Sequence, residues 1–332
     1  MVDSQPISSA EAEVLLAAEG GDFYTLLARA GAVREERKGR RVQLCGIINA
    51  KSGRCPENCA FCAQSAHHQT EASVYPLVSA AEMVERAHAV EAMGAREYSI
   101  VTSGTSIRSE AEICEICTAL ERLRGEGRLL RCASLGNIDE RTFARLAAAG
   151  LTNYHHNLET ARSFFPEVCT THDYDDDVET VRSAKRAGLR VCCGGIFGMG
   201  ESPAQRVELA ETLRELAVDS IPLNFLNPID GTPLEGPLAL TPLDCLKIIA
   251  VFRLMMPDID IFVCGGRERN LGDMQSWIFM AGANGMMVGD YLTTSGRAAA
   301  FDRAMVLGQG LEIAAAGDAA GATSGADAGG NR

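Results

Sequence analysis

The 332-residue sequence is poor in positive charge, in aromatic residues and in long apolar runs. Its 31 Lys and Arg residues are outnumbered by 44 Asp and Glu residues, and the net charge of -13 argues against a general affinity for nucleic acid phosphates or anionic lipids. No stretch reaches about 18 consecutive apolar residues, so no membrane span is expected. Residues 1–5 lack the basic and then apolar run of a signal peptide. We therefore expect a cytoplasmic protein whose partners are small molecules.

Cysteine, in contrast, is abundant, with twelve residues that a reducing cytoplasm would keep free or bound to metal. Cys55, Cys59 and Cys62 follow the spacing C-x3-C-x2-C in one short segment, called here the cysteine loop (residues 55–62). Iron-sulfur cubanes usually take four thiolates, so three leave one iron open to a small molecule. A disulfide or zinc loop is the alternative, but the thiol count is odd and zinc sites usually repeat cysteine pairs or add histidines.

Strand-like and helix-like segments alternate eight times after residue 41. This alternation predicts a parallel (β/α)8 TIM-type barrel, whose active site lies at the carboxyl ends of the strands. The cysteine loop follows the first strand and therefore belongs to that face. A doubly wound open sheet is the alternative, but no G-x-G-x-x-G follows the first strand. The predicted strands cover residues 42–49, 97–102, 129–134, 153–158, 189–193, 221–226, 259–264 and 286–289.

The same pattern divides the chain into three predicted parts: an N-terminal helical extension (1–40), the barrel (41–312) and a tail (313–332). Within the extension, one helix is predicted over residues 8–31, followed by a solvated basic connector at 34–41. The tail is rich in Ala and Gly, which predicts disorder.

The cysteine loop resembles that of the radical S-adenosylmethionine (SAM) enzymes. A separate, glycine-rich segment supports this resemblance. Residues 194–201, GGIFGMGE, fit the adenine-side pattern G-x-I-x-G-x-x-E of these enzymes, although such a stretch alone is more commonly a strand-to-helix turn. The resemblance implies a 4Fe-4S cluster on the three loop cysteines, with SAM on the open iron. It also implies that Phe61, Gly194 and Ile196 contact SAM.

Over residues 42–294 the resemblance narrows to the biotin synthase family. That family inserts sulfur into dethiobiotin, using two SAM molecules and an auxiliary iron-sulfur cluster as sulfur donor. By resemblance, Asn157 and Asn224 hold the ureido ring of dethiobiotin, Asn157 also contacts SAM, and Glu159, where Asp is expected, binds the ribose hydroxyls. An electron donor such as flavodoxin or ferredoxin and a homodimer are also implied. The segments that carry this resemblance are residues 49–59, 157–160, 191–195, 231–235 and 265–268.

The auxiliary cluster is where the sequence departs from the family pattern of a 2Fe-2S cluster on three cysteines and an arginine. Cys132, Cys192 and Arg267 match this pattern, but Ser99 stands where the second-strand cysteine is expected. Our hypothesis is that Cys45, on the neighbouring first strand, replaces it, since adjacent strands are about 4.8 Å apart. Cys264 is the second candidate, and the cluster need not be of the 2Fe-2S form.

Two further departures lie near the SAM site. Asp177 stands where an Arg that pairs with the SAM carboxylate is expected, and His155 stands where Asn is expected.

Two other functions remain open: a radical SAM enzyme that makes another cofactor, and an iron-sulfur electron-transfer protein. An electron-transfer protein would not need an iron that is open to a small-molecule ligand.

Overall fold

Parallel strands close into a barrel in the computed structural model, which describes residues 4–237 and 239–315. The strands are β1 (Arg41–Lys51), β2 (Glu97–Thr102), β3 (Leu130–Ser134), β4 (Asn153–His155), β5 (Arg190–Cys192), β6 (Gly195–Phe197), β7 (Ser220–Phe225), β8 (Asp260–Val263), β9 (Gly285–Met287) and β10 (Glu312–Ile313). Neighbouring strands pair in parallel, and β9 pairs back with β1 through Gln43–Gly285 and Cys45–Met287. The predicted (β/α)8 fold is confirmed, with β5 and β6 sharing the fifth position.

Side chains of β1 alternate between the helical layer and the barrel interior, called here the lumen. Leu44 and Ile48 are buried in the main apolar core, whereas Cys45 and Ile47 line the lumen. Successive side chains of a strand point to opposite faces, so this parity fixes which residues a lumen site can use.

Helices follow the strands, and polar caps mark where many of them begin. The side chains of Ser79, Ser109 and Asp139 each accept a hydrogen bond from the third residue of the following helix. Within the described residues no helix combines the length and the apolarity that crossing a membrane requires. The helices are α1 (Ser9–Leu16), α2 (Gly20–Lys38), α3 (Ala80–Ala92), α4 (Glu110–Glu126), α5 (Glu140–Ala149), α6 (Phe165–Val168), α7 (Tyr174–Arg186), α8 (Pro203–Glu215), α9 (Pro242–Met255), α10 (Arg267–Leu271) and α11 (Ala299–Gly308), with a 3-10 helix at Gly272–Ile278.

The fifth strand of the barrel is interrupted between β5 and β6, where the backbone makes close contacts with neighbouring segments. A Cβ atom on Gly194 would lie 2.1 Å from the Pro222 carbonyl oxygen, and one on Gly195 would lie 2.5 Å from the Glu159 carbonyl oxygen. Only glycine fits such approaches. These glycines therefore let β5 and β6 pack against β7 and against the segment that carries Glu159.

The N-terminal segment differs from its prediction. Instead of one helix over 8–31, α1 ends at Leu16 and α2 begins at Gly20, whose φ is +54°. The predicted basic connector is wrong as well, because α2 runs through it to Lys38 and Arg34 is buried. At the other end, Ile313 lies in β10, paired with Val42, and residues 316–332 of the predicted tail lie outside the described residues.

Candidate active site

The cysteine loop lies at the carboxyl end of β1, folded back on itself. Backbone bonds from Cys55 N to Gln64 O (3.0 Å) and from Ala66 N to Cys55 O (2.7 Å) close it. Its three thiols are half-buried and form no disulfide. Burial raises the pKa of Cys62 to about 11 and also raises the pKa of Cys55. Each of these free thiols would release its proton on binding a metal.

Gln64, which sequence reasoning did not single out, fastens the loop to β1. Its side-chain oxygen accepts hydrogen bonds from Ser52 Oγ (2.9 Å), Gly53 N (3.2 Å) and Asn49 Nδ2 (3.3 Å). The buried Gln64 side chain thus accepts three hydrogen bonds from the end of β1 and the residues that follow it. Its position two residues after Cys62 was the only signal in the sequence.

A cavity of about 350 Å³ runs from the cysteine loop into the lumen. Cys55, Cys59, Gly194 and Arg267 do not line it. Most of the predicted site residues therefore share one cavity. Those that line it are Cys45, Phe61, Cys62, Cys132, Asn157, Glu159, Cys192, Ile196 and Asn224.

Four cysteines from four barrel positions face this cavity, and we call them the lumen cysteines. They are Cys45 on β1, Cys132 on β3, Cys192 on β5 and Cys264 directly after β8. Contact with Cys264 and burial raise the pKa of Cys45, and burial raises the pKa of Cys132 and of Cys192. The thiols of Cys45, Cys132 and Cys192 are protonated unless a metal replaces the proton.

Ser99 lies on β2 in register with Cys132. Its hydroxyl oxygen is buried and has no hydrogen-bond partner among the described residues. A buried hydroxyl without a partner is costly, so its position beside the free thiols fits a lumen that receives a polar group. The chemistry of the donors, four sulfur atoms, fits iron and sulfur.

Glu97 brings a carboxyl group to the amino ends of the strands, which sequence reasoning missed. It lines the cavity and accepts a hydrogen bond from Asn153 Nδ2 at 2.7 Å. Burial raises its pKa, although contacts with Cys132 and Arg190 oppose the shift. The available signal was a charged residue at the start of an otherwise buried strand.

The prediction that Arg267 reaches the auxiliary site does not fit the structure. Its buried guanidinium donates to Gln275 Oε1 (2.6 Å), Asp302 Oδ2 (2.9 Å) and Glu268 Oε1 (3.2 Å). Gly266, with φ of +72°, turns the chain out of β8, so that Arg267 begins α10 outside the lumen. Its bond to Asp302 joins α10 to α11.

Near the cavity mouth, Glu159 and Asn157 form a polar pair. Asn157 Nδ2 donates to Glu159 Oε2 at 3.3 Å, and Asn157 Oδ1 accepts from Gly194 N at 3.1 Å. Burial, reinforced by the charge of Asp177, raises the pKa of Glu159 to about 8. Near pH 7 this carboxyl group can both donate and accept hydrogen bonds.

The predicted glycine-rich motif ends in a residue with a local role. Glu201 accepts hydrogen bonds from Gly198 N (2.9 Å) and Met199 N (2.9 Å) and pairs with Arg206 at 2.8 Å. It therefore shapes the loop after β6, whereas Ile196 of the same motif lines the cavity.

The middle of the cavity carries neutral polar groups. Asn224 Oδ1 accepts from Gly265 N at 2.8 Å, and its Nδ2 donates to Gly195 O at 3.2 Å. Burial lowers the pKa of His155 to about 4, which keeps this cavity-lining imidazole neutral. Thr293 and Thr294 line the cavity too and were missed, because they follow β9 in a segment without a recognisable pattern.

Asp177 is part of a buried network rather than a free group. Its two oxygens lie 2.9 Å from His156 Nε2 and 3.3 Å from His172 Nε2. His172 Nδ1 lies 2.9 Å from Glu57 Oε2, in the cysteine loop. Despite burial, bonds from both histidines lower the pKa of Asp177, and Asp177 in turn raises the pKa of His172 to about 11. A histidinium therefore lies between two carboxylates, one of which is Asp177, the position where the sequence resemblance led us to expect an arginine.

Comparison with solved structures supports the fold. The chain superposes on methylornithine synthase with a TM-score of 0.82, at 21% identity over 96% of this chain and 97% of that one. It superposes on the FeFe-hydrogenase maturase of Carboxydothermus hydrogenoformans with a TM-score of 0.80, at 17% identity over 93% of this chain and 76% of that one. At these identities the likeness shows the barrel alone.

Sequence comparisons are more specific. Residues 50–213 match the radical SAM superfamily, and residues 222–312 match the biotin and thiamin synthesis associated domain. The biotin synthase of Geobacter sulfurreducens is 58% identical over 94% of this chain and 95% of its own length. That of Anaeromyxobacter is 58% identical over 94% of this chain and 86% of its own length. The chain therefore belongs to the biotin synthase family of radical SAM enzymes.

Proposed function

We propose that this sulfurtransferase converts dethiobiotin to biotin by placing sulfur between two saturated carbons. The observation that carries the proposal is one cavity with a three-cysteine loop at its mouth and the four lumen cysteines beneath. When bound, a reduced 4Fe-4S cluster with SAM supplies the 5'-deoxyadenosyl radical, and an auxiliary cluster supplies the sulfur. The alternatives, another cofactor-making enzyme or an electron-transfer protein, have no specific observation in their favour.

Cys55, Cys59 and Cys62 would hold the 4Fe-4S cluster and leave one iron for SAM. Phe61 and Ile196 present apolar surface at the cavity mouth, suited to the adenine ring. Glu159 and Asn157 would bind the ribose hydroxyls, which need groups that donate and accept. For the SAM carboxylate, His172 is a cationic candidate that lies beside Asp177, though it does not line the cavity.

Asn157 and Asn224 would orient the ureido ring of dethiobiotin between the two clusters. Each amide offers donor and acceptor atoms to a cyclic urea. The neutral His155 can add one hydrogen bond without placing a charge beside the substrate. These residues bind and orient, and no acid or base among them is needed for hydrogen abstraction.

All four lumen cysteines would hold the auxiliary cluster. The proposed ligands are therefore four cysteines and not the expected three cysteines and an arginine. Arg267 donates a hydrogen bond to Asp302, whereas Cys264 faces the cavity. Cys45 makes up for Ser99 from the adjacent strand. Iron counting and Mössbauer spectra of anaerobically reconstituted Cys45→Ala test this set, and an auxiliary cluster identical to wild type excludes Cys45.

The proposed radical chemistry also suggests an electron donor and a cellular compartment. A flavodoxin or ferredoxin would reduce the 4Fe-4S cluster, a reducing cytoplasm would keep the twelve cysteines from forming disulfides, and the family suggests a homodimer. The decisive experiment incubates reduced protein anaerobically with SAM and dethiobiotin and measures 5'-deoxyadenosine and biotin. Deoxyadenosine without biotin would refute the substrate while leaving the radical chemistry intact.

A further inference from the structure

The cysteine loop reaches the protein surface beside Cys55. Cys62 lines the lumen cavity, whereas Cys55 does not, and its neighbours Arg54 and Pro56 are both exposed. Electron transfer slows steeply as the distance between donor and acceptor grows, so a reductant has to dock where the proposed 4Fe-4S cluster is close to solvent. The outer side of the loop offers such a place, and it leaves the cavity free for the substrate.

The segment after β2 packs against this exposed part of the loop. Ser103 Oγ donates to Gly53 O at 2.9 Å, and Thr105 Oγ1 donates to Glu57 Oε1. The segment then leads to Arg108, which is exposed just before α4 begins. The two hydrogen bonds therefore hold an arginine-bearing segment beside the loop.

Arg108 also lines a groove where α4 and α5 begin. The groove has a volume of about 340 Å³, and Arg141 and Arg145 line it as well. Its two carboxylates are already engaged, because Glu110 pairs with Arg145 at 2.7 Å and Asp139 caps the start of α5. Three arginines and two carboxylates leave this groove with a positive charge.

Arg54, Arg108 and Arg141 are exposed, and we call them the basic face. None of the three forms an ion pair within the described residues. The whole chain, in contrast, has a net charge of -13. A second neighbour of the loop, the segment around α6, exposes Glu167 and Asp173 instead. An acidic protein would therefore be attracted to one side of the loop and repelled by the other.

Another groove beside the loop is unsuited to an acidic protein. It is lined by Ala63, by the carboxylates of Glu71, Asp230 and Asp290, and by Arg269. Three carboxylates against one guanidinium leave it with a negative charge. Of the two grooves, only the one next to the basic face has the complementary sign.

We propose that the basic face is the docking surface for an acidic electron-transfer protein of the flavodoxin or ferredoxin type. The docked donor loses one electron and the 4Fe-4S cluster gains it, with no transfer of a proton or a group. This inference rests on the proposed function, in which the cysteine loop holds that cluster. Because exposed charges guide the encounter, docking should weaken as salt is added.

The test measures by stopped flow how fast the cluster of the reconstituted full chain is reduced. Reduced flavodoxin and reduced ferredoxin are used separately, and photoreduced deazaflavin serves as a small donor that needs no docking surface. The variant combines Arg108→Glu with Arg141→Glu. The matched control combines Arg122→Glu, near the far end of α4, with Arg214→Glu on α8, both of which are exposed.

We expect the double variant to react about tenfold or more slowly at low salt with whichever protein reduces the wild type faster. Its rate should also depend less on salt, and deazaflavin should reduce all three proteins equally. An undiminished rate overturns the proposal, and so does equal slowing in the control or with deazaflavin.

If the double variant does not assemble its cluster, Arg108→Gln with Arg141→Gln decides in the same way, with about threefold slowing expected. A wild-type cluster that deazaflavin reduces but neither protein reduces overturns this inference alone. A wild-type protein without a SAM-responsive cluster instead refutes the proposed function.

Discussion

The cysteine loop and the lumen cysteines are brought together in different ways. Three cysteines of the loop lie within eight residues and are joined by short-range backbone bonds. The lumen cysteines come from β1, β3, β5 and the end of β8, and they meet only because the barrel closes through β9 and β1. The first group is a local motif, and the second is a product of the fold.

This difference separates the two halves of the proposed chemistry. If the proposed roles hold, a change in the loop should remove radical formation and leave the barrel intact, whereas the proposed sulfur-donor site depends on strand parity at every position. Variants of one region, measured at the other, test this separation.

The largest effect is expected from Cys62→Ala. Removing one of three ligands leaves too few thiolates for the 4Fe-4S cluster, so 5'-deoxyadenosine should fall below detection. The auxiliary cluster should remain, and iron counting with Mössbauer spectroscopy checks both statements. Cys117→Ala, a half-buried cysteine on α4, is the matched control. Loss of both clusters in Cys62→Ala would contradict the independence of the two regions.

Cys264→Ala should separate the two regions in the opposite direction. We expect biotin formation to be lost while deoxyadenosine is still produced, because the cysteine loop is untouched. Product analysis by mass spectrometry and the iron count give the readout. Full biotin formation by this variant would remove Cys264 from the auxiliary site.

Arg267→Met is expected to act on stability rather than on a cluster. Breaking a buried ion pair leaves Asp302 charged and unpaired, which costs about 3–5 kcal/mol in the free energy of unfolding. Denaturant unfolding measures this loss, and the double variant Arg267→Met with Asp302→Leu should recover much of it. An auxiliary cluster with an altered spectrum in the folded Arg267→Met protein would restore Arg267 as a ligand.

These residues also show how far the sequence could lead. The C-x3-C-x2-C loop and the eightfold alternation were readable because spacing and periodicity are local. The adjacency of the first and second strands led to Cys45 as the replacement for Ser99, and its role as a ligand stays a proposal. Arg267 was misplaced because the outward turn depends on the positive φ of Gly266, which the sequence does not display. The network around Asp177 was missed, since its partners come from separate segments.

Glu159, near the mouth of the shared cavity, is expected to make the stability of the fold depend on pH. Its folded-state pKa of about 8 is above the ordinary value for Glu, so the folded chain binds a proton that the unfolded chain has released. Stability should therefore fall as pH rises from about 4.5 to 8, by at most about 1.4 kcal/mol per unit from this group. Denaturation midpoints of Glu159→Gln should change less steeply with pH than those of wild type, and the exposed Glu13→Gln should follow wild type. Parallel curves for wild type and Glu159→Gln would show that Glu159 is ionised throughout this range. It would then bind SAM hydroxyls as an acceptor only.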